Sequence, residues 1–408
     1  MKYILMLLAL LNFVSCTKGE DNTDEDISDY KTFTSVNELT NLLDSLSGLA
    51  DNHRLTALWD SLVIHKQVPF ILGDSVAFLY KGDTTTNSVK WAGDFNGWNP
   101  EQQDYSGKRV GLSNIWMVEK SFPLDARLDY KIVVDGQWRL DPVNDLIQYS
   151  GFGPNSELRM PEWEFPQETI LIDGVSRGTL SGNISILSST DNLGYKVNYR
   201  VYTPAGYKNL SDLPVIYVTD GQEYSDDRLG AMLIVLDNII YQQKIEPCIA
   251  VFIDPRDPDN LSNNRRMTEY AANIRFANFV ADELVPQIDL NYKTNASPDK
   301  RAILGTSMGG WNSAFFGLKR SDKFHLIGIH SPAFDQNIIQ EYSLVEKLPL
   351  KMFMSTGVIY DTQDRARAMK VILDQKGYPL NYVEVNQGHS WGNWRALIEE
   401  PLVYFFGK

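Results

Sequence analysis

The fold is decided by Gly305-Thr306-Ser307-Met308-Gly309, which follows the short apolar run Ala302-Ile303-Leu304 and leads into a stretch with helical character at residues 310 to 316. A serine between two glycines at a strand-to-helix turn indicates a nucleophile elbow, because small residues let the backbone turn tightly and expose the hydroxyl. The same five-residue pattern also arises by chance in plain turns. The rest of the chain must therefore supply the partners that such a serine needs.

Composition limits the classes of function. The 408 residues, 43% of them hydrophobic, predict two or three packed domains. The formal net charge of -14 argues against a nucleic-acid partner, which would need clustered Lys and Arg. The chain contains neither an H-E-x-x-H metal motif nor a P-loop, so no metal and no other cofactor is predicted.

The N-terminus predicts export and a lipid anchor. Residues 1–15 carry Lys2 and a short apolar stretch, which is typical of a signal peptide and too short to span a bilayer. The sequence ending in Cys16 resembles a bacterial lipoprotein box, with Phe13 where leucine is more usual. That resemblance implies cleavage before Cys16 and lipid attachment to its sulfur. The polar, acidic run over residues 16–34 is expected to be a tether, and it resembles the acidic export signals of surface lipoproteins. A place in the bacterial cell envelope at the outer membrane is therefore expected, with the periplasmic or the outer face left open. An ordinary signal peptide followed by an incidental cysteine is the alternative.

Three further segments follow the tether. Leucines recur at helical spacing over residues 35–66, and short strands separated by Gly, Asn, Asp and Pro over residues 67–162 predict a small antiparallel β-sandwich. From residue 163 to 408, strands buried on both faces alternate with helical segments. This alternation predicts a mostly parallel, doubly wound sheet of the α/β-hydrolase type.

An elbow serine needs a base and an acid, in the chain order Ser, Asp or Glu, His. His389 follows the last predicted strand, at the edge of the sheet where open α/β sheets place their sites. Asp361 follows the strand at residues 351–355 and is the predicted acid, with Asp364 as the alternative. The predicted oxyanion hole combines the backbone N–H of Met308 with a second amide, that of Gln222.

The segment from about 195 to 406 resembles the esterase D-like hydrolases, among them enterochelin esterases and the feruloyl and acetyl xylan esterases of carbohydrate esterase family one. The resemblance lies in the elbow and in Asp220-Gly221-Gln222, Arg266-Met267-Thr268-Glu269-Tyr270 and Gly388-His389-Ser390-Trp391 with Trp394-Arg395. It implies that Arg266 and Glu269 shape or line the substrate cleft, although a surface ion pair is the alternative. An aromatic wall of the cleft, or else core packing, is expected from Trp311, Trp391 and Trp394.

Residues 70 to 145 resemble the glycogen-binding modules of AMP-activated kinase and branching enzymes. The resemblance is carried by the run from Trp91 to Pro100, by the run from Tyr130 to Trp138, and by Asp141-Pro142. In such modules two tryptophans and a lysine form a sugar platform, which here implies Trp98, Trp138 and Lys131. The alternative is a domain that packs against the catalytic part and binds nothing.

Together these observations predict a lipid-anchored serine esterase whose substrates are acyl or feruloyl esters on polysaccharides. The predicted partners are this ester substrate and, through Cys16, a membrane. Two alternatives stay open: hydrolysis of a siderophore trilactone of the enterochelin type, and a non-catalytic glycan-binding lipoprotein.

Overall fold

The structure is a computed structural model that describes residues 32–48 and 53–408. The predicted signal peptide at 1–15, Cys16 and the tether as far as residue 31 lie outside the described residues. Within the described ranges, no helix combines the length and the apolar character that a membrane span requires.

Two helices open the described chain, α1 (Val36–Ser47) and α2 (His53–Ile64). The helix α1 begins at the N-cap Ser35, whose hydroxyl accepts a hydrogen bond from the backbone N–H of Glu38 at 3.1 Å. The apolar faces of both helices, including Leu43 and Leu58, pack with Ala77 and Leu79 of the sheet that follows. The helical segment is thereby packed onto the β-sandwich.

The sandwich consists of two antiparallel sheets. Its strands are β1 (Phe70–Leu72), β2 (Ser75–Lys81), β3 (Val89–Gly93), β4 (Lys108–Arg109), β5 (Ile115–Ser121), β6 (Arg127–Val134), β7 (Gln137–Arg139), β8 (Ile147–Ser150) and β9 (Gly153–Arg159). One sheet has the order β1-β2-β5-β4, and the other has the order β3-β6-β9-β8 with β7 paired to β6.

A nine-stranded sheet forms the second domain. The strands of this sheet are β10 (Thr179–Leu180), β11 (Ile184–Leu187), β12 (Lys196–Thr203), β13 (Val215–Val218), β14 (Ile249–Asp254), β17 (Arg301–Thr306), β18 (Leu326–His330), β19 (Lys351–Gly357) and β20 (Leu380–Val385), while β15 (Arg256–Asp257) and β16 (Asn260–Asn264) form a separate hairpin. Along the sheet the order is β10-β12-β14-β13-β17-β18-β19-β20, with β11 also paired to β12. The pairs from β14 to β20 are parallel, and β12 joins them antiparallel.

Helices cover both faces of this sheet. They are α3 (Gly221–Tyr224), α4 (Met232–Tyr241), α5 (Arg266–Glu269), α6 (Ile274–Asn278), α7 (Val285–Asn291), α8 (Met308–Lys319), α9 (Gln336–Leu344), α10 (Gln363–Gln375), α11 (Trp391–Ala396) and α12 (Glu399–Phe406). Two buried apolar clusters, one on each face, enclose the central strands. The parallel sheet with helices on both faces, preceded by an antiparallel sandwich, confirms the predicted fold class.

One helical stretch contains an irregular turn. Residues 274 to 291 form α6, a π-helical turn at Phe279–Leu284, and α7 without a break. Pro286 lies in the first turn of α7 and has no N–H to donate, so the regular helical ladder cannot run through it. The N–H of Val285 instead bonds to the carbonyl of Val280, five residues back.

The sandwich meets the hydrolase domain through the outer face of β6. Side chains of a strand alternate between faces, and those of Leu128, Tyr130, Ile132 and Val134 fill the sandwich core. Arg127, Asp129 and Lys131 alternate with them on the other face, and Asp129 and Lys131 line a cavity shared with the hydrolase domain. A parallel bridge between Arg127 and Gln387 joins the two domains through the backbone.

Candidate active site

The elbow between β17 and α8 holds Ser307 in a rare backbone conformation, with φ of 59° and ψ of -117°. The flanking glycines are required for close approach, since neither has a positive φ. A Cβ on Gly305 would lie 2.5 Å from Thr219 Oγ1, and one on Gly309 would lie 2.7 Å from the same atom. The backbone strain therefore falls on the serine itself, which is typical of a nucleophile elbow.

Hydrogen bonds join the three residues of the predicted triad. The Ser307 hydroxyl donates to His389 Nε2 at 2.9 Å, and His389 Nδ1 donates to Asp361 Oδ1 at 2.6 Å. The Asp361 side chain is fully buried, whereas about a third of the His389 side chain is exposed. The geometry brings a nucleophile, a base and an orienting carboxylate into one line.

Asp361 accepts further hydrogen bonds that fix its carboxylate. The Ser331 hydroxyl and the Gly357 N–H each donate to Oδ2 at 2.6 Å, and the Thr362 N–H donates to Oδ1 at 2.7 Å. Burial alone would raise the pKa of Asp361, but the hydrogen bond and charge of His389, together with the bond from Ser331, hold this pKa below its ordinary value. The other candidate acid, Asp364, lies exposed in the first turn of α10 and takes no part in this set of bonds.

A second histidine, His330, lies in the core at the end of β18 and not in the cavity wall. Its ring hydrogen-bonds the Ser355 hydroxyl at 2.7 Å, and burial lowers its pKa to about 3. The imidazole is therefore neutral.

Both predicted oxyanion donors stand at helix starts. Met308 is the first residue of α8 and Gln222 lies in the first turn of α3, so neither backbone N–H has an acceptor within its helix. The side-chain oxygen of Gln222 is buried without a partner, and Gln222 does not contribute to the wall of the cavity at Ser307. The predicted role belongs to the backbone N–H groups of Met308 and Gln222, neither of which is among the residues that line the cavity, and it stays a prediction.

A cavity of about 580 Å³ opens at Ser307 and His389. About half of its wall comes from the sandwich, namely Asp94, Gly97, Trp98, Asp129, Lys131, Trp138, Ser150, Gly151, Phe152 and Asn155. The remaining wall residues come from the loops and helices at the carboxyl ends of the hydrolase strands. The nucleophile therefore lies between the two domains.

The predicted sugar platform forms part of this same cavity. The rings of Trp98 and Trp138 stack with centroids 6.4 Å apart and planes 25° apart, and Lys131 lines the cavity beside them. The Trp98 indole N–H donates to Asp94 Oδ1 at 3.2 Å, which fixes that ring. The platform is a wall of the cavity at Ser307 and not a remote surface.

The structure separates the two residues of the predicted Arg-Glu element. Arg266 lines the cavity, pairs with Asp220 at 2.9 Å and donates to the Thr306 carbonyl at 3.2 Å. Glu269 lies buried outside the cavity wall, where its Oε1 accepts the Tyr195 hydroxyl at 2.9 Å. Of the two expected residues that shape or line the cleft, Glu269 therefore does not line it, and the alternative of an Arg266–Glu269 ion pair is not formed either, since Arg266 pairs with Asp220.

Of the three tryptophans expected in the cleft, two line the cavity and one does not. Trp391 and Trp394 line the cavity, and the Trp394 ring meets His389 edge-on with centroids 5.0 Å apart. The Trp391 indole N–H donates to Glu223 Oε2 at 2.6 Å. Trp311 does not line the cleft and instead takes the alternative of core packing, because its side chain on α8 packs against the hydrolase core.

Several wall residues were missed by sequence reasoning. Asp94 lies inside the tryptophan motif and Tyr360 directly precedes Asp361, so motif position alone could have drawn notice to both. Phe152, in the turn between β8 and β9, is fully exposed and lines the cavity. Among the described residues, no group of three or more His, Cys, Asp or Glu side chains is arranged to hold a metal ion.

Comparison with known proteins agrees with this geometry. Residues 190–341 match the Esterase family model. An endo-1,4-beta-xylanase/feruloyl esterase of Xylanibacter ruminicola is 30% identical over 315 residues, which cover 73% of this chain and 41% of that protein. The uncharacterized protein YjcH of Bacillus subtilis is 25% identical over 225 residues, covering 52% of this chain and 91% of that protein.

Solved structures extend the likeness in fold to both domains. The ferric enterobactin esterase of Salmonella typhimurium superposes with a TM-score of 0.68 at 17% identity, covering 81% of this chain and 93% of that one. The enterobactin esterase of Shigella flexneri gives 0.66 at 18%, with 81% and 92% covered. In its fold and its matched family model the chain is an esterase-like α/β-hydrolase, and the hydrogen-bonded Ser307, His389 and Asp361 are consistent with a serine carboxylic-ester hydrolase.

Proposed function

We propose that this protein hydrolyses carboxylic esters of aromatic acyl groups, feruloyl esters above all, attached to sugars of polysaccharide origin. The observation that carries the proposal is the cavity in which Ser307 and His389 share one space with the stacked Trp98 and Trp138. Stacked indoles suit the flat face of an aromatic acid or of a sugar ring, and Lys131 can donate to a hydroxyl or carboxylate beside them.

The chemistry follows from the three bonded residues. Ser307 Oγ attacks the ester carbonyl while its proton passes to His389 Nε2, and Asp361 stabilises the imidazolium that forms. The backbone N–H groups of Met308 and Gln222 donate hydrogen bonds to the tetrahedral oxygen and so stabilise its negative charge. His389 then returns the proton to the leaving alcohol, and a water molecule repeats the sequence on the acyl-enzyme to release the acid and free Ser307.

The relative from Xylanibacter ruminicola supports the substrate class, since its alignment extends over 73% of this chain. The rival substrate, a siderophore trilactone, is favoured by the two-domain likeness in fold to the enterobactin esterases. A third reading, a glycan-binding protein without activity, is disfavoured by the hydrogen-bonded triad.

One activity panel separates these proposals. Purified protein and its Ser307→Ala variant are tested on methyl ferulate, feruloylated and acetylated xylan fragments, and ferric enterobactin, with fluorophosphonate labelling of Ser307 as a substrate-independent readout. We expect turnover of the feruloyl esters, and a loss of about 10⁴-fold or more in the variant. Turnover of the iron complex alone would refute the substrate class, and an unlabelled, inactive wild type would refute the enzyme.

We also propose that Cys16 carries a lipid that anchors the enzyme in the bacterial outer membrane. The support is the sequence alone, in which the apolar stretch ends at a small residue before Cys16 and an acidic tether follows. A Cys16→Ala variant expressed with its own leader should move from the membrane fraction to the soluble fraction. Equal membrane retention of both proteins would contradict the anchor.

A further inference from the structure

We propose that the β-sandwich positions the catalytic base: Arg127 at the start of β6 and Asp94 directly after β3 hold the loop of residues 386 to 390 that presents His389 to Ser307. This role rests on the proposed function, since it concerns the same triad. Neither residue is hydrogen-bonded to Ser307 or His389, although Asp94 also forms part of the cavity wall, so both act on the reaction as positioning residues.

Arg127 donates hydrogen bonds to the loop on both sides of His389. Its backbone N–H donates to the Asn386 carbonyl at 3.3 Å, and its Nη1 donates to the Ser390 hydroxyl at 3.2 Å. The loop is therefore bound to β6 before and after the histidine. The Asn386 side chain adds a third bond between the domains, to Asp125 Oδ1 at 2.7 Å.

Two glycines let the loop approach the sandwich closely. A Cβ on Gly388 would overlap the Asp94 side chain, with its Oδ2 only 2.7 Å away, and a Cβ on Gly392 would overlap the Arg127 guanidinium. Backbone packed this tightly against side chains has little freedom to shift. Gly388 directly precedes His389, so the contact with Asp94 bears on the base.

The two anchoring side chains are themselves fixed. Arg127 is buried and paired with Asp129 at 2.5 Å and with Glu157 at 2.6 Å. Asp94 is buried and accepts the Asp129 N–H at 2.8 Å. Both anchors therefore belong to one charged network inside the interface.

The hydrolase domain holds the loop from the opposite side. Asp361 bonds the His389 ring, and Asn393 Nδ2 donates to the Gly388 carbonyl at 2.9 Å. The distance between His389 Nε2 and Ser307 Oγ thus depends on contacts from two domains. A misplacement of about 1 Å in such a pair can cost about 10²-fold in rate.

The test uses the full chain and p-nitrophenyl acetate, an ester that has neither a feruloyl group nor a sugar. Gly388→Ala is the main variant, and Gly182→Ala is its matched control, because a Cβ at Gly182 meets no atom within 4 Å. We expect Gly388→Ala to lower kcat about 100-fold with KM within about twofold, and to slow fluorophosphonate labelling of Ser307 in parallel. Gly182→Ala should match the wild type.

A second variant covers the case in which Gly388→Ala does not fold. Ser390→Ala removes a single hydroxyl and leaves the ion pairs of Arg127 in place, so we expect an unchanged unfolding midpoint and a five- to tenfold lower kcat. Full kcat in every folded variant, with an active wild type, would overturn the positioning role alone. A wild type that is neither active nor labelled would overturn the proposed function and this role together.

Discussion

At the scale of single residues, strained backbone conformations cluster near the reacting atoms. Asp220, Ser307, Ser331 and Tyr360 all have positive φ without being glycine, and each follows a strand that ends at the active-site edge of the sheet. Such conformations cost on the order of 1–3 kcal/mol each and persist where the surrounding structure fixes them. Here the strain turns the chain sharply at the points where hydroxyl and carboxylate groups must face one another.

The choice between the two candidate acids gives the first prediction. Asp361→Asn should lower kcat about 10⁴-fold, because the amide can donate to the imidazole and so favours the wrong tautomer. The measurement is steady-state kinetics on methyl ferulate at pH 7 and 8. Asp364→Asn is the matched control, exposed and three residues away, and should keep wild-type rates. A loss of rate in Asp364→Asn with an active Asp361→Asn would reverse the assignment.

At the scale of elements, strand ends and loops supply the chemistry. Ser307 follows β17, Asp361 follows β19 and His389 follows β20, so three neighbouring regions of one sheet edge converge. Parallel strands bring their carboxyl ends to the same edge, and chain order could therefore predict this convergence. Chain order could not predict whether the Trp311 side chain lies in the cleft or against the core. This choice depends on how α8 is rotated about its axis when it packs on the sheet.

The tryptophan platform gives the second prediction, which concerns binding and not chemistry. Trp138 is 47% exposed and stacks on Trp98, so Trp138→Ala should remove stacking surface without disturbing the core. For a feruloyl ester we expect KM to rise about tenfold with kcat nearly unchanged, since one stacked ring contributes roughly 1 kcal/mol or slightly more. Kinetics on p-nitrophenyl acetate provide the control and should not change. Equal losses on both esters would contradict a binding role for the ring.

At the scale of the whole molecule, burial of carboxyl groups links stability to pH. Burial raises the pKa of Glu269 to about 7, although the Tyr195 hydroxyl acts in the opposite direction. Burial likewise raises the pKa of Asp220 to about 6 despite its pair with Arg266. In the unfolded chain both groups ionise near pH 4. The folded state therefore binds more protons, and stability present at low pH is lost as pH rises through these folded pKa values.

The third prediction isolates Glu269. Between about pH 4.5 and 8, the free energy of unfolding of the wild type should fall as the pH rises. In Glu269→Gln the fall should be smaller, and the difference between the two proteins should reach about 3 kcal/mol over this range. Urea unfolding followed by tryptophan fluorescence at several pH values measures the difference. Glutamine keeps an acceptor for the Tyr195 hydroxyl. Glu269 is largely protonated in both states at about pH 3, so an added measurement at that pH serves as an internal control. Parallel stability curves over the whole range would contradict the assigned pKa.

The sequence by itself determined the fold class and brought forward Ser307, Asp361 and His389, because periodicity, turn chemistry and chain order are local properties that the printed residues carry. Only the tertiary structure decided that the sandwich completes the site. Alternation along β6 would place Arg127 and Asp129 in solvent, yet docking of the hydrolase domain buries both and brings Trp98 and Trp138 to the cavity at Ser307. The physical reason is that docking depends on contacts between residues more than two hundred positions apart, such as Arg127 with Ser390, for which local periodicity carries no signal.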